Sequence, residues 1–149
     1  MKRVIALRGL GNSGKSSTLR MMYELLVTRY ALDRKRGKRV RVSIEGDIND
    51  VNTSVIVSVN GVRVGITSVG DQPGVLEGNL REFEFRGCAI IVCASRTAAR
   101  FESVVTDLQR SCYEIEWIDK HKEGDTKTDW DAANMKVAED IFTKIQNLL

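Results

Sequence analysis

The sequence predicts an α/β fold of three layers, with helices on both faces of a mostly parallel sheet that includes an antiparallel hairpin. Three observations carry this prediction. Short apolar runs alternate along the chain with stretches of helical period, the pattern of strands joined by crossover helices. A glycine-rich segment, Gly9 to Gly14, leads from the first apolar run straight into the first helical stretch. Asn60-Gly61 separates two runs of alternating hydrophobicity, and both residues accept the positive φ of a type I′ turn. At 149 residues the chain has the size of one domain, residues 1–149, with one core.

The elements follow in order. Arg3–Leu7 is apolar between charge and glycine, as suits a strand buried on both faces. Leu19, Met22, Tyr23, Leu25, Leu26 and Tyr30 recur at helical spacing, which predicts a helix from Ser16 to about Arg29. Val40–Ile44 alternates with a period of two and reads as a strand ending in Glu45-Gly46-Asp47. Val55–Val59 and Val62–Ile66 form the hairpin strands, the second running on through Val69 to the stop Gly70-Asp71-Gln72-Pro73-Gly74. A helix over about Val75–Phe85 leads to the apolar strand Cys88–Ala94, followed by a helix over about Ala98–Ser111 with Phe101, Val104, Val105 and Leu108 on one face. A strand at Tyr113–Ile118 precedes a polar stretch, Asp119–Thr128, expected to be a mobile loop. Asp131 is a candidate cap for a last helix whose apolar stripe is Val137, Ile141, Ile145 and Leu148.

Composition excludes several classes. Apolar residues make up 42% and charged residues 29%, ordinary for a globular chain. The longest apolar stretch, Cys88–Ala94, is far short of the roughly 20 residues that cross a bilayer. Met1-Lys2-Arg3 opens no secretory leader, so no membrane partner and a cytoplasmic location are expected. Cys88, Cys93 and Cys112 make no CxxC pair and are expected to be small buried residues in a reducing compartment. A net charge of +3 does not by itself imply nucleic acid. Arg34–Arg41 nevertheless holds six basic residues in eight, which reads as a solvated turn or as a patch for phosphates. The turn is the favoured reading, because no aromatic residue is interleaved for base stacking.

The segment Gly9-Leu10-Gly11-Asn12-Ser13-Gly14-Lys15-Ser16 meets every requirement of a phosphate-binding loop. Glycines let the backbone wrap a triphosphate with its N–H groups inward. Gly9, Gly11, Asn12, Ser13, Gly14, Lys15, Ser16 and Ser17 are the candidate nucleotide-binding residues. Lys15 would neutralise the β- and γ-phosphates, Ser16 would offer its hydroxyl to Mg²⁺, and the helix start adds its positive dipole end. A second magnesium anchor is normally an acid at the end of a strand beside the first, and Asp71 is the candidate. Asp71-Gln72-Pro73-Gly74 also fits the D-x-x-G pattern of a γ-phosphate sensor, although turns of this kind favour Asp in any case. Glu45 and Asp47, at another strand end, are candidates for binding an acceptor or taking its proton, or else simply a charged strand end. Arg96 is the better placed of Arg96 and Arg100 to neutralise charge on a transferred phosphoryl group. His121, the only histidine, reads as an exposed loop residue.

With these pieces placed, the chain resembles the P-loop NTPase superfamily over most of its length. The segments Ile5 to Lys15, Thr67-Ser68-Val69-Gly70-Asp71 and Cys93-Ala94-Ser95-Arg96-Thr97 look like those of small, largely uncharacterised bacterial and phage P-loop proteins. The resemblance implies the three-layer P-loop NTPase fold and nucleotide binding, but no substrate. A guanine-reading N-K-x-D motif is missing from both Ala94-Ser95-Arg96-Thr97 and Ile118-Asp119-Lys120-His121, so ATP is the expected nucleotide. The expected function is Mg²⁺-dependent ATP binding with phosphoryl transfer, kinase-like or hydrolytic. The alternatives are a nucleotide-dependent switch acting on a protein partner, and a nucleic-acid-linked NTPase using Arg34–Arg41.

Overall fold

A computed structural model describes residues 2–11, 13–48, 54–69, 72–121 and 124–149. Eleven regular elements follow one another: β1 (Lys2–Arg8), α1 (Lys15–Lys35), β2 (Val42–Glu45), β3 (Ser54–Val59), β4 (Val62–Thr67), α2 (Pro73–Phe85), β5 (Ile90–Ser95), α3 (Ala99–Thr106), a 3₁₀ turn (Asp107–Ser111), β6 (Tyr113–Asp119) and α4 (Lys127–Leu148). The six strands form one mixed sheet in the order β2-β3-β4-β5-β1-β6. Pairs β1·β5, β1·β6 and β4·β5 are parallel, while β2·β3 and β3·β4 are antiparallel. Only β3 runs against the rest.

The alternation of side chains along the strands builds two cores. Ile5 and Leu7 of β1, with Val55, Val57, Val64, Ile66, Ile90 and Val92, face Leu19, Met22 and Leu26 of α1 and Ala138, Ile141 and Ile145 of α4. Val4, Ala6, Ile91 and Cys93 face the other way, onto Leu76, Leu80 and Phe83 of α2 and Phe101 and Val105 of α3. Helices therefore cover both faces, giving the three predicted layers. The central strands read as continuous apolar runs because both of their faces are buried.

The hairpin forms as predicted, with Asn60 at φ 52° and Gly61 at φ 86°. Other expectations shift. Helix α1 runs six residues past Arg29, to Lys35, because Asp33 is buried in its last turns and anchors Arg29 at 3.5 Å and Lys38 at 3.7 Å. Helix α2 starts at Pro73, whose fixed φ suits the first helical position, rather than at Val75. The helix after β5 tightens into a 3₁₀ turn at Asp107 instead of continuing to Ser111. Helix α4 is capped by Thr126, not Asp131: Thr126 Oγ1 accepts from the Asp129 amide at 3.2 Å, and the Asp129 carboxylate reaches back to the Thr126 amide in a capping box. The stretch Asp119–Thr128 is thus partly taken up by β6 and α4. Cys88 and Cys93 are buried as expected, but Cys112 is exposed at φ 67°, just past the 3₁₀ turn. No helix among the described residues is long and apolar enough to cross a membrane.

Candidate functional site

The strands β1, β5 and β6 run in parallel, so their C-terminal ends reach one rim of the sheet together. After β1 the chain crosses to the face carrying α1, and after β5 to the face carrying α3. The divergence opens a crevice between the ends of β1 and β5, where open α/β sheets accept ligands. The described residues of the glycine loop, 9–11 and 13–14, lie there.

Backbone hydrogen bonds fix the root of this loop on both sides. The Gly9 amide donates to the Ser95 carbonyl of β5 at 3.0 Å, and the Lys120 amide after β6 donates to the Arg8 carbonyl at 2.7 Å. A side chain at Gly9 has no room, since its Cβ would collide with the Lys120 carbonyl and stand 2.7 Å from Ser13 Oγ. Arg8 itself is held by Asp119 at 2.8 Å and Glu102 at 3.2 Å, with its guanidinium 4.7 Å from the Trp117 ring centre. The hydrogen bond from Arg8 holds the Asp119 carboxyl below its ordinary range, and the Asp119 carboxylate raises Arg8 in return.

The far end of the loop closes on α1. Gly14 is the N-cap at φ 88°, a left-handed conformation that glycine adopts without strain. No side chain caps this helix and its first turn carries no acid, so the first amides keep their capacity for an anion. The contrast with the capped α4 is direct. Lys15 is buried and its ammonium curls over the loop, donating to the carbonyls of Gly9 at 2.9 Å and Leu10 at 2.7 Å and reaching Ser13 Oγ at 3.5 Å. Ser16 Oγ donates to the Ser68 carbonyl at 3.3 Å, tying α1 to the chain leaving β4. Ser17 is exposed one residue on.

The predicted site residues divide. Gly9, Gly11, Ser13, Gly14, Lys15 and Ser16 surround the loop, and Arg96 joins them: its guanidinium stands 3.4 Å from where a Cβ on Gly11 would be. Asn12 and Asp71 lie outside the described residues. The strand leading toward Asp71 is not the neighbour of β1, however, because β5 stands between β4 and β1. The neighbour's end carries Ser95 and Arg96 instead. Glu45 and Asp47 are not brought to the loop. Glu45 ends the edge strand β2, four strands from β1, or about 19 Å at ordinary strand spacing. Register places it level with Val4, through Ile56, Gly65 and Ile91, and its carboxylate pairs with Arg86. Exposed Asp47 lies close enough to Tyr23 of α1 that its charge, with burial as the larger cause, raises the phenol.

Two neighbours of the loop were not singled out from sequence. Asn134 of α4 is buried against Gly14, and Lys120 is buried beside Gly9. The signal for Asn134 was present: it shares the buried stripe of Ala138, Ile141 and Ile145, where a polar residue needs a reason. Next to Lys120 a cleft of about 580 Å³ opens between the end of β6 and α4, with Asp119, His121, Lys136 and Asp140 on its walls. No family model matches the chain, and neither a curated protein nor a solved structure resembles it at a significant level.

Proposed function

We propose that the glycine loop binds the phosphates of a nucleoside triphosphate with Mg²⁺, and that the chain transfers the terminal phosphoryl group to water or to an acceptor. One observation carries the reading: the Lys15 ammonium lies over the loop at the uncapped start of α1, with the Arg96 guanidinium beside Gly11. Two cations, an uncapped helix start and no carboxylate in its first turn suit a polyanion. Glycine is required where the loop packs against Lys120 and Asn134, and Gly11 carries no side chain between the backbone and Arg96.

Within this reading Lys15 exchanges its carbonyl partners for phosphate oxygens. The Ser16 hydroxyl, already turned toward the end of β4, is the protein's ligand for the metal, with Asp71 as the acidic partner suggested by sequence. Magnesium supplies charge neutralisation along the phosphates. Arg96 stabilises charge developing on the transferred group, as a guanidinium fixed beside the loop is suited to do. The rest of the nucleotide or the acceptor occupies the cleft beside Lys120, which adjoins the loop, whereas Glu45 is strands away. The resemblance to P-loop proteins agrees with this assignment, and the missing guanine motif favours ATP.

Calorimetric titration of the chain with Mg-ATP, Mg-GTP and ATP without metal tests the proposal. Micromolar binding of Mg-ATP, lost in Lys15→Ala, is the expected result. Failure of any nucleoside triphosphate to bind at millimolar concentration sinks it.

A further inference from the structure

At the rim opposite the glycine loop, a second cleft of about 580 Å³ lies between the end of α1 and the β3–β4 hairpin. Arg34, Lys38, Arg39 and Arg41 line it, facing Asn60 and Gly61 of the hairpin turn. Among the described residues its walls carry no carboxylate and no aromatic ring. The turn read from sequence is exposed from Arg34 to Arg39, and it also lines a concave surface with one sign of charge.

Its frame is fixed by the backbone. The Arg41 amide donates to Asn60 Oδ1 at 2.9 Å, and the Asn60 amide donates to the Arg41 carbonyl at 2.8 Å. On the other side the Lys38 amide donates to the Asp33 carbonyl at 3.1 Å, and Gly37 turns the chain at φ 79°. Asp33 partly neutralises Lys38, at 3.7 Å. Arg34, Arg39 and Arg41 have no ion pair among the described residues.

Basic residues at a helix end often do no more than complement its dipole. Arg34 and Lys35, in the last turn of α1, suffice for that. Arg39 and Arg41 lie beyond the helix and gain nothing from it. The basic surface also continues past the cleft through exposed Lys35 and Arg36, which a single small phosphate would not use. From this we infer that the cleft holds the sugar–phosphate backbone of a nucleic-acid strand, without reading its bases. Guanidinium groups pair with phosphate oxygens, and the absence of an aromatic platform removes base stacking.

Fluorescence anisotropy with a labelled oligo-dT strand and a labelled random duplex, from 50 to 300 mM salt, tests the inference. Binding in the micromolar range at 50 mM salt is expected on both, weakening as salt rises. Four phosphate contacts give a log–log slope of about −2.8 for the single strand or about −3.6 for the duplex. The variant R34Q/R39Q should lose at least about tenfold in affinity and reduce the slope by about 1.4 to 1.8, with an unchanged circular-dichroism spectrum. Lys15→Ala, at the other end of α1, should bind the oligonucleotides as the parent does. That separates this result from failure of the nucleotide site. The inference is overturned by no binding at 50 mM salt, by affinity unchanged in R34Q/R39Q, or by binding lost in Lys15→Ala.

Discussion

The side chain of Asn134, buried near the start of α4, stands so close to Gly14 that a Cβ on that glycine would collide with its amide group. Helix α4 thereby backs the left-handed residue on which the glycine loop enters α1. Replacing Asn134 with leucine forces branched carbon onto the same spot and should weaken Mg-ATP binding by about tenfold or more. A stability loss of about 1–3 kcal/mol, typical of overpacking, is expected beside it. Titration calorimetry and urea unfolding measure the two effects separately, and unchanged nucleotide affinity in a folded N134L would count against the contact's role.

Arg96 and Arg100 can be told apart. Arg96 lies at the loop, while exposed Arg100 sits over the Phe101 ring at 5.2 Å. Arg96→Ala should reduce turnover by about 10²-fold with a smaller change in KM, as expected for a group that acts mainly on developing charge. Arg100→Ala should leave both constants within about twofold. Steady-state phosphate release measured over a range of Mg-ATP concentrations spanning KM checks the pair.

Gly65 separates stability from the site. It lies in β4 away from the loop, and a Cβ there would stand 2.6 Å from the Phe83 ring, which is fully buried. Gly65→Ala should cost about 1–3 kcal/mol through overpacking, and Phe83→Ala about 3–5 kcal/mol through the cavity it leaves. Neither should alter nucleotide affinity at temperatures where the variants remain folded. Denaturant midpoints and titration at 10 °C report these quantities.

Alkaline pH should destabilise the protein through two buried thiols and a buried phenol. Burial pushes the thiols up from 9.0, Cys88 to about 11 and Cys93 to about 12. Burial also pushes the Tyr113 phenol up from 10.0 to about 12, and its hydroxyl donates to the Cys88 carbonyl at 2.5 Å. Each group is harder to deprotonate when folded than when unfolded. Its contribution to stability is therefore complete below the unfolded value and lost as pH rises to the folded one. The melting temperature should fall steadily between about pH 9 and 12.

Thiol labelling offers a complementary check. Cys112 is exposed and should react with a maleimide within minutes, whereas Cys88 and Cys93 should react only on unfolding. Mass spectrometry of the native protein is expected to show one adduct, and two or more would contradict the buried positions.

The parts of the fold that were legible in the sequence are those with a local cause. The glycine loop's place between strand and helix, the Asn60-Gly61 turn and the apolar strands follow from backbone preference and periodicity. Boundaries turn on side-chain pairings a few residues apart that hydrophobic periodicity does not report: Asp33 meets Lys38 past the end of α1, and Thr126 takes the cap from Asp131 through Asp129. The strand order is a long-range property. Nothing local announces that β5 enters between β4 and β1, so the expectation that Asp71 would end a neighbouring strand did not hold. Nothing local places Glu45 at the far edge against Arg86 either. Arg96 could be found because it follows an apolar strand directly. Asn134 needed the helix phase to be known to within one residue.

Helix α1 spans both rims, with Lys15 in its first turn and Arg34 in its last, and its 21 residues make a rod about 31 Å long. At physiological ionic strength the field of an exposed charge decays over about 8 Å, so this rod is roughly four screening lengths. A charge reversed at Arg34 is thus nearly invisible to an anion beside Lys15. Through solvent the two ends of one helix are nearly uncoupled, and a strong dependence of one upon the other would have to travel as mechanical displacement.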